Sequence, residues 1–102
     1  MEFKTTVESG CATVFLQGRL AFGSYPDFRV ATMAALEHPQ VDRIQLNMAA
    51  VDYLDSSALG MILHFKEKAD EARKGLAISS PGPHVAKVLA VVNFSRLIPI
   101  LP

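Results

Sequence analysis

The stretch Met48-Ala49-Ala50-Val51-Asp52-Tyr53-Leu54-Asp55-Ser56-Ser57-Ala58-Leu59-Gly60-Met61-Ile62-Leu63 decides how this chain is read. An apolar strand runs into a turn, then an Asp-Ser-Ser step, then small residues, then an amphipathic helix. Asp55 or Ser56 suits the cap of that helix, because a short side-chain oxygen there accepts from backbone N–H groups that lack an intrahelical partner. Downstream, Leu59, Ile62, Phe65 (with Leu63), Ala69 and Ala72 form an apolar stripe, and Lys66, Glu67, Lys68, Asp70, Glu71, Arg73 and Lys74 fill the opposite face. This pattern predicts a helix over Ser56–Arg73, ended by Gly75. Upstream, Val41–Met48 alternates imperfectly and reads as a central strand.

The neighbouring segments extend the same alternation of strand and helix. Cys11–Gln17, rich in β-branched and aromatic residues, reads as a strand closed by Gly18, with Phe3–Val7 as a partner across a turn at Glu8-Ser9-Gly10. A loop over Gly18–Tyr25 follows. Pro26 suits a first helical turn, and Phe28, Ala31, Ala35 and Leu36 carry a helix to Glu37, before His38-Pro39. Beyond the long helix come a short strand, Leu76–Ser79, and a helix over Pro83–Val92 with Val85, Val88, Leu89 and Val92 on one face. Leu97–Leu101 is a last short apolar segment. The order β-β-α-β-α-β-α-β implies an α/β fold with a mostly parallel or mixed sheet, in which function gathers where strand ends meet helix N-termini.

Composition narrows the function classes. The 102 residues suit a single domain, 1–102, and half of them are hydrophobic. Ten basic and ten acidic residues cancel, so no charge footprint points to nucleic acid or an anionic membrane, and self-association meets little electrostatic resistance. The single cysteine, Cys11, excludes an intrachain disulfide and a thiolate-rich metal site. The start, MEFKTTVESG, has no apolar signal core, and no apolar run is long enough to insert in a membrane, so a cytoplasmic location is expected. No nucleophile elbow, phosphate-cradling glycine loop or zinc-type histidine spacing is present, and no enzyme activity, cofactor or metal is expected. His38 is expected in a solvated loop and His64 as a packing residue at the edge of its helix stripe. The local reading of Asp-Ser-Ser is a helix cap. Its functional reading rests on position: a phosphate of about −1.5 to −2 charges in a first helical turn is favoured by the free N–H groups and the macrodipole. Ala58 and Gly60 keep that end low, so that another backbone can approach.

At this segment the chain resembles the STAS domains of the anti-sigma factor antagonist family. Ile44-Gln45-Leu46-Asn47-Met48, followed by Val51 through Leu63, is similar to the family's signature strand, loop and helix. Gly18-Arg19-Leu20, Gly75-Leu76-Ala77-Ile78 and Pro81–Leu97 resemble its flanking turn, strand and closing helix. The resemblance implies a mixed sheet of four to five strands with helices packed on one side. It also implies partner switching. The unphosphorylated domain binds a serine kinase of the GHKL type that doubles as an anti-sigma factor. Phosphorylation ends the complex, and a serine phosphatase resets it. The family's phosphoacceptor is the second serine, Ser57 here. The resemblance further implies that Asp55 shapes the cap and that Phe22, Gly23, Ser24, Asp55, Ser56, Ala58 and Met61 belong to the partner surface. The chain departs from the pattern at Ala21, where many relatives carry an acid, and at Ala58, where glycine is commoner. Two other classes fit the same sequence: a scaffold or accessory subunit of a signalling assembly or lipid-transport ATPase, and a regulator that binds a small ligand.

Overall fold

Ser9 and Gly10 both take positive φ, 52° and 81°. That geometry matches the twist of two antiparallel strands joined by a two-residue turn. In the computed structural model, which describes residues 1–102, the strands so joined are β1 (Glu2–Glu8) and β2 (Cys11–Leu20), with Glu8 opposite Cys11. The Gly10 carbonyl then accepts from Asp42 N–H at 2.9 Å, which pins the turn to the entry of the next strand.

The other elements are α1 (Tyr25–Glu37), β3 (Arg43–Leu54), α2 (Ser56–Glu71), β4 (Gly75–Ser79), α3 (Pro83–Val91) and β5 (Ile100–Leu101). Short 3-10 turns at Phe22–Ser24 and Phe94–Arg96 lead into α1 and follow α3. The five strands lie in sequence order, with β1 antiparallel to β2 and all later pairs parallel. The parallel crossovers all step in one direction. Right-handed crossovers that do so place every helix on the same face of the sheet.

Burial follows that layering. On the covered face Ala12, Val14 and Leu16 of β2, Ile44, Leu46 and Met48 of β3 and Ile78 of β4 meet Phe28 and Ala31 of α1, Ile62 and Phe65 of α2, and Val85 and Leu89 of α3. Phe28 and Phe65 pack edge to face, centroids 6.4 Å apart, and join α1 to α2. The other face is open and largely polar: Lys4, Thr6, Thr13, Gln45 and Asn47, with Phe15 among them.

Several expected boundaries shift. β2 runs on to Leu20, so the loop expected over Gly18–Tyr25 shrinks, and Tyr25 is already helical. β3 starts two residues after Val41 and continues past Met48 to Leu54. Its register against β2 slips between Phe15 and Gln17 and again between Gly18 and Arg19. Each slip reverses the inside–outside alternation, so period-2 reading fails beyond Met48. Gly18, at φ 95°, sits at the second slip, in a conformation that favours glycine.

The expected Gly75 end of α2 is also corrected. The helix stops at Glu71, Arg73 takes the left-handed turn at φ 58°, Lys74 N–H bonds Ala69 C=O at 2.9 Å, and Gly75 opens β4. Ala72 therefore lies exposed beyond the stripe, which Ala58 joins instead. Val92 falls outside α3 and is exposed. Of Leu97–Leu101 only Ile100–Leu101 pairs as a strand, while Ile98 is in the core.

Candidate functional site

Leu20 and Leu54 are partners at the ends of parallel strands, and Asp55 N–H bonds Leu20 C=O at 3.4 Å. Whatever follows the two strands must therefore emerge side by side. After β2 comes the Phe22–Ser24 turn, and after β3 comes the start of α2.

Asp55 is the cap of α2. Its Oδ1 accepts from Ala58 N–H at 2.9 Å, and its backbone is extended. Ser56 and Ser57 occupy the first two helical positions, with no further acid in that turn. Asp55 does the capping, and the Ser57 hydroxyl has no hydrogen-bond partner in the protein, its residue half-buried. Ser57 lines a groove of about 500 Å³ together with Phe22, Gly23, Tyr25, Pro26 and Met61. Phe22 is 79% exposed at its rim. A hydroxyl in this place borders solvent beside a largely apolar rim.

The structure thus brings Phe22, Gly23, Ser57 and Met61 together, with Asp55 as the cap and Ser56 exposed beside them. Two residues expected at the partner surface point inward, and that expectation is corrected. Ser24 is buried, its hydroxyl donating to Arg19 C=O at 2.7 Å and accepting from Ala21 N–H at 3.1 Å. Ala58 is fully buried, because the core-facing stripe runs Ala58, Ile62, Phe65, Ala69. Ala21 caps the 3-10 turn.

Tyr25 and Pro26 are groove residues that the sequence reading missed. Their adjacency to Phe22 was the available signal. A smaller cleft continues between α1 and α2, floored by Phe28, Thr32 and Phe65 and rimmed by Arg29, His64 and Lys68. His64 is exposed on that rim and not the packing residue expected, because the α2 stripe is rotated toward Ala58. His38 lies in the loop after α1, half-buried, and its Nδ1 accepts from Gln40 N–H at 3.2 Å in an exposed hydrogen bond. Behind the site, the Arg19 guanidinium stacks 3.9 Å from the Tyr53 ring centre and steadies the strand ends. No helix is long and apolar enough to cross a membrane.

Comparison with known proteins bears on the family and the fold. The family model for the STAS domain matches residues 2–102. A STAS-domain containing protein of Pseudomonas aeruginosa is 36% identical over 88 residues, spanning 86% of this chain and 85% of that protein. Among solved structures, an anti-sigma factor antagonist from Mycobacterium paratuberculosis superposes with a TM-score of 0.85 at 17% identity, over 99% of this chain and 85% of that one. The anti-sigma factor antagonist SpoIIAA, in its unphosphorylated form, gives 0.77 at 20% identity, over 97% and 87%. Its phosphorylated form, from Bacillus, gives 0.70 at 19% identity, over 97% and 90%. The STAS domain of a SulP transporter from Vibrio cholerae gives 0.73 at 15% identity, over 95% and 77%. The chain thus shares its fold with antagonists and a transporter domain alike. With the family match across almost the whole length and a relative at this identity, the chain belongs to the STAS domain family.

Proposed function

We propose that this STAS domain is an anti-sigma factor antagonist that works by partner switching, as a binding module and kinase substrate and not as a catalyst. Unphosphorylated, it binds a serine kinase of the GHKL type that doubles as an anti-sigma factor, and so frees the sigma factor. Transfer of a phosphoryl group to Ser57 Oγ ends the complex, and a serine phosphatase restores it. The observation that carries this reading is the Ser57 hydroxyl. It has no intramolecular partner, lies in the first turn of α2, and faces a groove walled by Phe22, Tyr25 and Met61. The fold neighbour solved in both unphosphorylated and phosphorylated forms adds support.

The chemistry suits a switch that leaves the domain folded. A dianion at Ser57 is favoured by the helix N-terminus, so it acts outward on the docked partner, through like-charge repulsion and loss of hydration. A penalty of about 3 kcal/mol lowers affinity more than a hundredfold. Phosphosite mapping on protein from its native cells should find the phosphate on Ser57. Ser57→Ala should bind the kinase constitutively, and Ser57→Asp should bind it poorly. Equal binding by the two variants sinks the switch. No phosphate under several growth conditions, together with co-purification of a membrane transporter, selects the scaffold reading, which has the likeness to the Vibrio cholerae transporter domain behind it.

A further inference from the structure

β1 leaves one edge of the sheet unpaired over seven residues, Glu2–Glu8, with neither proline nor bulge in the strand. An open edge of that length is a template for another strand. The opposite edge, β5, offers only two residues, flanked by Pro99 and Pro102.

The geometry of β1 specifies what it can pair with. A two-residue turn closes on a hydrogen-bonded pair, here Glu8 with Cys11, and bonding then alternates back along the strand. The outward N–H and C=O groups therefore belong to Phe3, Thr5 and Val7. Their side chains lie on the helix-covered face, yet Phe3 is 39% and Val7 42% exposed, because nothing flanks the edge. Glu2, Lys4, Thr6 and Glu8 project from the open face.

We propose that two copies of this chain pair antiparallel along β1, with Thr6 facing Thr6, so that the two sheets become continuous. Charge selects this register. It sets Lys4 against Glu8 twice and Thr5 against Val7 twice. Centring the pairing on Thr5 sets Glu2 against Glu8 twice, and centring it on Lys4 sets that lysine against itself. Centres at Phe3 or Val7 overlap fewer residues. In the chosen register Thr5 and Val7 exchange backbone hydrogen bonds. The pairs Lys4–Glu8 and Thr6–Thr6 take the closer, non-bonded positions where cross-strand side chains interact most strongly. Zero net charge removes long-range repulsion between the copies. The overlap sits at the Ser9-Gly10 end of the sheet and Ser57 at the other, so both grooves stay open in the dimer. The pairing is independent of the role of Ser57. The interface is small, so the dimer forms and dissociates with concentration.

The test uses the whole chain. Cys11→Ser removes the single native thiol. Added to it, Thr6→Cys places two thiols across the twofold axis within disulfide reach. Glu2→Cys, on the same face, places them roughly 25 Å apart. The Thr6→Cys protein should oxidise to a covalent dimer about ten times faster than the Glu2→Cys protein at equal concentration. In sedimentation, the wild type should dimerise with rising concentration. Lys4→Glu or Glu8→Lys alone should be monomeric, and the double exchange should restore the dimer. A wild type that is monomeric up to about 1 mM overturns the proposal. So do equal oxidation rates, or a double variant as monomeric as the single ones.

Discussion

At the residue scale the site depends on a division of labour between two neighbours. Asp55 caps the helix through Ala58 N–H, while the Ser57 hydroxyl makes no hydrogen bond within the protein. Removing the cap should therefore cost stability without touching the Ser57 hydroxyl. Asp55→Ala is expected to lose about 1 kcal/mol, whereas Asp55→Asn keeps most of it, because an amide oxygen can take the same bond. In a domain of this size the loss lowers the melting temperature by about 4–8 °C, measurable by calorimetry. The capping logic was legible because it is local: acceptor and donor are three residues apart. Ser24 shows the limit of that reading. Its hydroxyl is also spent locally, on Arg19 and Ala21, but only the bend of the chain after β2 turns it inward.

At the element scale, helix ends are held by groups far away in sequence. The Lys74 ammonium, just past α2, donates to the Leu36 and His38 carbonyls, the latter at 3.0 Å, and so closes the C-terminus of α1. A cation there meets the Leu36 carbonyl left over at the helix end, shares the His38 carbonyl with Val41 N–H, and faces the negative end of the helix dipole. Lys74→Met should lower stability by about 1–2 kcal/mol in urea titration, since the stem is kept and only the donors are lost. Nothing in the sequence pairs Lys74 with residues more than thirty positions earlier. The rotation of α2 likewise differs from the expected stripe, because large Leu59 and Leu63 dominate a periodicity count, while the first residue of the helix to reach the core, Ala58, is small. Ala58 fits directly against the sheet, and Leu59 and Leu63 lie half-buried at the sides.

At the scale of the whole molecule, one sheet carries all the helices on one face, so a single layer of side chains holds the domain together. Ile62, fully buried in that layer, is a sensitive point. Ile62→Ala should cost about 2–5 kcal/mol. Against a total of roughly 5–15 kcal/mol, that is a large share and should bring a clear fall in the urea midpoint. The same one-sided design leaves an open face and an open edge at β1, the features from which self-pairing follows.

The order of elements, the hairpin at Ser9-Gly10, the three helices and the Asp-Ser-Ser start of α2 were settled by the sequence itself, because each rests on periodicity or on contacts within a few residues. The tertiary structure alone decided the rest. The two register slips let β3 continue beyond the point where its alternation breaks. The parallel pairing of β2 with β3 carries Phe22, Tyr25 and Pro26 to Ser57 across more than thirty residues of chain. Such contacts depend on which strand ends share an edge of the sheet, a property of topology that no local pattern of side chains encodes.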